Sequence, residues 1–287
     1  MKFTYFVQLL ESTAPQQDEL ALNTLLETLQ SASEDQRADE VHTDGLLDAL
    51  GDFLAPGNLA NETARLAMAC LPSISVLSAV RAVFASPVFA KVVDALLLAQ
   101  TTLETKRLGY SLLFYVACDV MRKQLFEFPR VEDALESGLA SCDVDMIDDC
   151  ANILRVIAWF HVFDVSQHQP LMNALIQEFC THGNSDTFYY GSGALQKLLD
   201  TAAKAEELLL AHSALVESVK ARLAHGDHGL QASAVAAAVL SLINREFSSS
   251  ILGSVSPLSC WNAVTCSSLI DWVSGSGKMV LPGCPFR

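Results

Sequence analysis

Three places in the chain hold side chains whose types and spacing could do chemistry. "HVFDVSQH" sets His161, Asp164 and His168 three and four residues apart. On a helix Asp164 and His168 share a face, with His161 a turn behind. A metal site needs three or four such ligands converging on one point. Further donors stand only at distant turns, in "CTH" at Cys180 and "HGDH" at His225. Polar residues belong at turns for solvation alone, so no metal or other cofactor is expected. "SGSGKM" invites a phosphate-loop reading, which needs a Gly five positions before its second Gly and a Ser or Thr after the Lys. Trp272 and Met279 stand there instead, around Gly277 and Lys278, so the stretch reads as a Gly/Ser tail.

Nucleophilic catalysis fares no better. The chain has no GxSxG elbow, and the obvious thiol, Cys150, follows Asp148 and Asp149, whose charges oppose thiolate formation. The acidic run Asp143, Asp145, Asp148 and Asp149 could offer paired carboxylates. Acids near a helix start are explained more simply by the helix dipole, although they could also receive a basic peptide. No catalytic residue emerges, and the chain is expected not to be an enzyme.

Composition narrows the partners. The 287 residues carry 18 basic and 33 acidic side chains, a net charge of −15. Phosphate backbones and anionic lipid surfaces attract the opposite balance, so nucleic acid and membrane surfaces are disfavoured. No run of about 18 apolar residues is present to span a bilayer, and "MKFTYFVQLLESTAP" reads as an amphipathic helix rather than a secretory signal. The eight cysteines lie mostly in helical patterns at irregular spacing. That pattern suits free thiols in a reducing compartment, so a cytoplasmic protein, with the nucleus as a further location, is expected.

The elements that position these residues follow a period. Helical segments end on an apolar residue at Leu54, Leu98, Leu139, Phe179 and Leu223, with steps of 44, 41, 40 and 44 residues. Each anchor precedes a short polar break and then a longer helix: "ETARLAMACL", "ETKRLGYSLLFYV", "DMIDDCANILRVIAWF", "DTFYYGSGALQKLL" and "LQASAVAAAVLSLIN". Gly and Pro number only 14 and 9, in keeping with helix throughout. One helix–turn–helix unit cannot bury its apolar faces alone, but stacked units share a continuous core. Small residues at Ala67, Gly109, Ala151, Gly193 and Ala234 suit helices that approach closely.

With this period and order the chain resembles the armadillo and HEAT class of helical repeats. Armadillo is the better fit, because "RLAMACLPSIS" and "AVAAAVLSLIN" are similar to its third helix. The resemblance implies an all-α, right-handed solenoid of about five repeats of ~42 residues. Residues 1–42 are expected to be a helical cap and a polar linker, 43–246 the repeats, and 247–287 a Ser-rich irregular segment. Members of the class that read nuclear-import signals use an Asn ladder and Trp residues on the third helix. The matching positions here are Cys70 and Leu112, which points away from an import receptor.

A non-enzymatic scaffold or adaptor for a protein partner is what the resemblance implies. Two narrower versions fit by size and acidity. One is a nucleotide-exchange cochaperone of seventy-kilodalton heat-shock proteins, and the other an assembly chaperone of the proteasome base. "ETARLAM" from Glu62 and "ETKRLGY" from Glu104, 42 residues apart, sharpen the expectation. They read as equivalent first turns, with Leu66 and Leu108 in the core. Arg65 and Arg107 then project on one face as a short basic ladder for a partner.

Overall fold

The computed structural model describes residues 4–181, apart from 11–14, 41, 43–44, 76–78, 120 and 160–167. These fall in the first of two units into which the chain divides, Met1–Leu198. Among the described residues there are twelve α-helices, one 3-10 turn at Pro56–Asn58 and no strand. In chain order the helices are α1 (Thr4–Leu10), α2 (Pro15–Ser31), α3 (Glu34–Glu40), α4 (Leu46–Phe53), α5 (Glu62–Ile74) and α6 (Ala79–Ala85). There follow α7 (Pro87–Leu97), α8 (Leu103–Cys118), α9 (Arg122–Glu127), α10 (Val131–Leu139), α11 (Val144–Trp159) and α12 (Gln169–Thr181).

The helices stack in two layers. In one, α2 packs on α5, α5 on α8 and α8 on α11; in the other, α1 packs on α4, α4 on α7, α7 on α10 and α10 on α12. The short helices α3, α6 and α9 precede α4, α7 and α10. Each unit is thus a short helix, a second-layer helix and a long first-layer helix: α3–α4–α5, α6–α7–α8 and α9–α10–α11. Leu54 follows α4, Leu98 follows α7, Leu139 ends α10 and Phe179 lies in α12, so the apolar anchors mark equivalent helices. The fifth anchor, Leu223, lies outside the described residues, as do Gly193, Ala234, the 247–287 segment and Lys278.

Local chemistry sets the helix starts. Thr102 accepts the Thr105 N–H at 3.2 Å ahead of α8, and Ser86 accepts the Val88 N–H at 3.3 Å ahead of α7, whose first residue is Pro87. Asp143 accepts the Met146 N–H at 3.1 Å ahead of α11. One expectation needs correcting here: the polar stretch read as a linker contains α3. Its start is a capping box, in which Ser33 Oγ accepts the Gln36 N–H at 3.3 Å and Gln36 Oε1 accepts the Ser33 N–H at 3.0 Å. Glu34 and Asp35 occupy the first turn, where the dipole favours acids.

The core runs between the layers. Helix α5 buries eight of its 13 residues, among them Leu66, Ala67, Cys70 and Leu71, because α2 and α8 flank it. Ala67, Gly109 and Ala151 are buried, as close packing requires. A Cβ on Gly109 would lie 2.8 Å from Leu96 Cδ2. Leu66 is buried, but Leu108 is only half-buried; α8 turns Thr105, Gly109 and Leu112 inward in its place. Phe89 stands 4.9 Å from Phe84 and 5.0 Å from Phe128, ring centre to ring centre, joining α6, α7 and the end of α9.

The tightest point is Gly138 on α10. A Cβ there would collide with Cys150 Sγ of α11 and lie 2.7 Å from the Tyr110 ring of α8. Tyr110 is held in place, donating its hydroxyl to the Ala134 carbonyl at 2.6 Å. Gly138→Ala is therefore expected to destabilise the chain by about 1–3 kcal/mol, although alanine favours an isolated helix by ~1 kcal/mol. Urea unfolding measures it, and an unchanged or raised midpoint would show that α10 is not pinched here.

Candidate functional site: the charged face of the long-helix layer

Each first-layer helix opens with an acid in its first turn, Glu62 on α5, Glu104 on α8 and Asp145 on α11. One turn further stand Arg65 and Arg107. Arg65 Nε donates to Glu62 Oε2 at 2.8 Å, its Nη2 pairs with Glu62 Oε1, and its Nη1 reaches the next unit at Glu104 Oε1, 3.1 Å away. Arg107 repeats the pattern one unit on. Its Nε and Nη2 donate to the Asp143 carboxylate at 3.0 and 2.5 Å, and its Nη1 lies 3.0 Å from Asp145 Oδ2. The two arginines thus lie on one side of the stack, as the 42-residue register requires. Each is clamped by carboxylates, so the strip alternates in sign where a bare basic ladder was expected.

The charges respond accordingly. The bond from Arg65 holds Glu62 below the usual carboxylate range, and the bond from Arg107 does the same for Asp143. The guanidinium groups shift upward in return, Arg65 through Glu62 and Arg107 through Asp143. Asp143 has two tasks, capping α11 and receiving Arg107.

The third unit departs from the pattern. At the position after Arg65 and Arg107, a further 41 residues along, stands Asp148, with Asp149 beside it. Asp149 is half-buried and accepts the Ser111 hydroxyl of α8 at 3.3 Å. Burial pushes its carboxyl up to about 6, Asp148 and Asp145 add to the rise, and the Ser111 bond opposes it. Nearby on the same layer, Leu103, Tyr115 and Val144 are 49%, 46% and 44% exposed. On α8, Phe114 is half-buried and Tyr115 stands out; the side chain of Trp159 and the whole of Phe160, Phe188, Tyr189 and Tyr190 lie outside the described residues.

The second layer carries a matching strip of opposite sense. Lys91 Nζ reaches back to Asp52 at 3.0 Å, Arg130 Nη1 to Asp94 at 2.5 Å, and His168 Nδ1 to Glu132 at 2.9 Å. His168 also meets the Phe126 ring edge-on. Its proposed companions His161 and Asp164 lie outside the described residues, as do the His225 cluster and the Cys180 side chain. Among the described residues no group of three His, Cys, Asp or Glu could hold a metal ion, and no helix is long and apolar enough to cross a membrane.

Two of the described thiols, Cys70 and Cys150, are placed for packing. Cys150 is buried and its pKa stands well above normal; burial is the main cause and Asp149 the lesser, the reverse of the emphasis in the sequence. Burial pushes the Cys70 thiol up to about 12.

No protein-family profile matches the chain, and no curated protein sequence does. Solved structures do. A computationally designed armadillo repeat protein for modular peptide recognition aligns with a TM-score of 0.69 at 16% identity, over 84% of this chain and 99% of that one. A designed armadillo repeat protein in complex with the peptide (KR)4 aligns with a TM-score of 0.67 at 15% identity, over 85% of this chain and 100% of that one. The fold is armadillo-like. In its armadillo-like units, α5, α8 and α11 are the third helices, and the alternating strip runs along their starts.

What the sequence did not show is which residues face each other across units. The contacts join positions 39 and 36 apart, Arg65 to Glu104 and Arg107 to Asp143. The first separation, and the 38 residues between Arg107 and Asp145, are one period less roughly one helical turn, a rule that could have singled out Glu104 and Asp145 in advance; Asp143 lies two residues further back, ahead of α11.

Two measurements check this face. A double-mutant cycle on Arg65→Ala and Glu104→Ala is expected to give a coupling of ~0.2–1 kcal/mol that fades in 1 M salt, about three times shorter in screening length than 0.1 M. Zero coupling at low salt would mean the rung does not form in solution. Alkylation of the native chain, mapped by mass spectrometry, is expected to modify exposed Cys142 long before buried Cys70 and Cys150; equal labelling would show that the units do not pack as described.

Proposed function

We propose that this protein is a non-enzymatic binding scaffold whose partner, a protein segment, lies along the starts of α5, α8 and α11, with Arg65 and Arg107 among its contacts. The observation that carries this reading is the alternating strip itself. Two successive equivalent helices, α5 and α8, repeat the same acid and arginine at a fixed interval, and Leu103 and Val144 stand exposed at the starts of α8 and α11. A periodic row of donors and acceptors suits an extended chain, whose own polar groups recur at regular intervals. The designed armadillo proteins that share the fold supply the precedent, since one was made for peptide recognition and another holds (KR)4. A strip of alternating sign suits a segment that itself carries both acids and bases. The cochaperone and proteasome-assembly readings are special cases of the same scaffold and differ only in the identity of the partner.

The test is affinity capture on the full chain followed by cross-linking through lysines. Lys106 lies on α8 and Lys91 on α7, so the two report on different layers. The expected result is a reproducible partner that cross-links to Lys106 and is retained several-fold less by the Arg65→Ala, Arg107→Ala double variant. Cross-links confined to Lys91 would move the interface to the other layer. Turnover of a small molecule with no captured partner would overturn the scaffold reading.

A further inference from the structure

We propose that the joint between α8 and α11 is proton-sensitive: on mild acidification Asp149 takes up a proton from solvent, and the second and third units close more tightly on each other. The geometry at the joint has three parts. First, Asp149 faces a hydroxyl where its neighbours face a cation. Ser111 Oγ lies 3.3 Å from Asp149 Oδ2, whereas Asp143 and Asp145 share Arg107.

Second, the charged groups around it are mostly of one sign. On α11 itself stand Asp145 and Asp148, with Cys150 adjacent; Arg155, further along, is bonded to Asn152 Oδ1 at 3.1 and 2.7 Å. From α8 come Arg107, already clamped, and Tyr110, whose hydroxyl is turned to the Ala134 carbonyl. Helix α10, packed against α11 beside Cys150, has Glu132, Asp133 and Glu136 as its charged residues, all acids. Third, the side chain is half-buried between the two helices, and burial raises its titration point to about 6.

The sign follows from linkage. A carboxyl whose folded value is raised binds its proton more tightly in the native state than in the unfolded chain. Stability is therefore fullest below the unfolded value of ~4, declines as pH rises through ~6, and stays reduced above that. Protonation also lets the contact persist with its polarity reversed. The carboxylic O–H donates to Ser111 Oγ, and the Ser111 hydroxyl turns to a carbonyl of its own helix one turn back. The like-charge repulsion with Asp145 and Asp148 is relieved in the same step. This joint behaves so whether or not a partner lies on the face, so its failure and the failure of the scaffold reading are separable.

Two measurements on the full chain test it. Carboxyl carbon NMR of Asp149 is expected to titrate near pH 6, and a midpoint in the ordinary range near ~4 would overturn the proposal. Hydrogen exchange of α8 and α11 amides, corrected for intrinsic rates, is expected to slow several-fold, up to roughly tenfold, from pH 7 to pH 5, the part of the full ~100-fold linkage that falls in this window. Asp149→Asn is expected to show the slow rates at both pH values, and Ser111→Ala to move the midpoint upward. A wild-type response that Asp149→Asn retains in full would assign the effect to another group and sink the idea.

Discussion

A helix buried on both flanks can exist only between two others, and that constraint on α5 governs the rest of the molecule. Its apolar residues are not confined to one stripe; Leu66, Ala67, Met68, Cys70 and Leu71 are nearly inaccessible together. A short helix with that pattern has no stable form alone in water. It needs α2 on one side and α8 on the other, and α8 in turn needs α11. The stack is thus a consequence of the sequence of α5, and the period is its trace. Burying one leucine contributes about 1.5–3 kcal/mol, so the apolar layers supply the stability, while the half-exposed ion pairs do something else.

What the pairs do is fix register. Apolar faces can slide, because leucine against leucine discriminates poorly between offsets. A guanidinium held by two carboxylates cannot shift by a turn without stranding a charge. The first layer reaches forward, from Arg65 to Glu104 and from Arg107 to Asp143. The second reaches back, from Lys91 to Asp52 and from Arg130 to Asp94. Opposed senses on the two layers resist slippage in both directions. The third unit loosens this rule on one layer, where Asp148 and Asp149 follow the arginine positions and the hydroxyl of Ser111 takes the place of a cation.

The fold was legible because periodicity survives without any invariant motif. Apolar anchors at Leu54, Leu98 and Leu139 recur on equivalent helices, and small residues such as Gly109 fall where helices touch. The short helix α3 was not legible from hydropathy, since its residues are nearly all polar; its signal was the reciprocal pair Ser33 and Gln36. The inward turn of α8, with Thr105 buried and Leu108 half-exposed, depends on where α5 and α11 press, which no single helix encodes. At the candidate site the arginines were visible and their clamps were not. Pairing across units is set by three-dimensional offset, so Glu104 and Asp143 looked like ordinary helix-start acids.

The opposed pairs have a consequence for how such a chain can grow. Every rung joins a residue of one unit to a residue of the next, and the joining groups recur within the repeating segment. The α6–α8 unit copied in tandem would bring its own guanidinium for the following carboxylate and its own carboxylate for the preceding guanidinium. Gene duplication in steps of one period would therefore lengthen this protein without leaving a charge orphaned at the new boundary, whereas an insertion of any other length would break both strips at once.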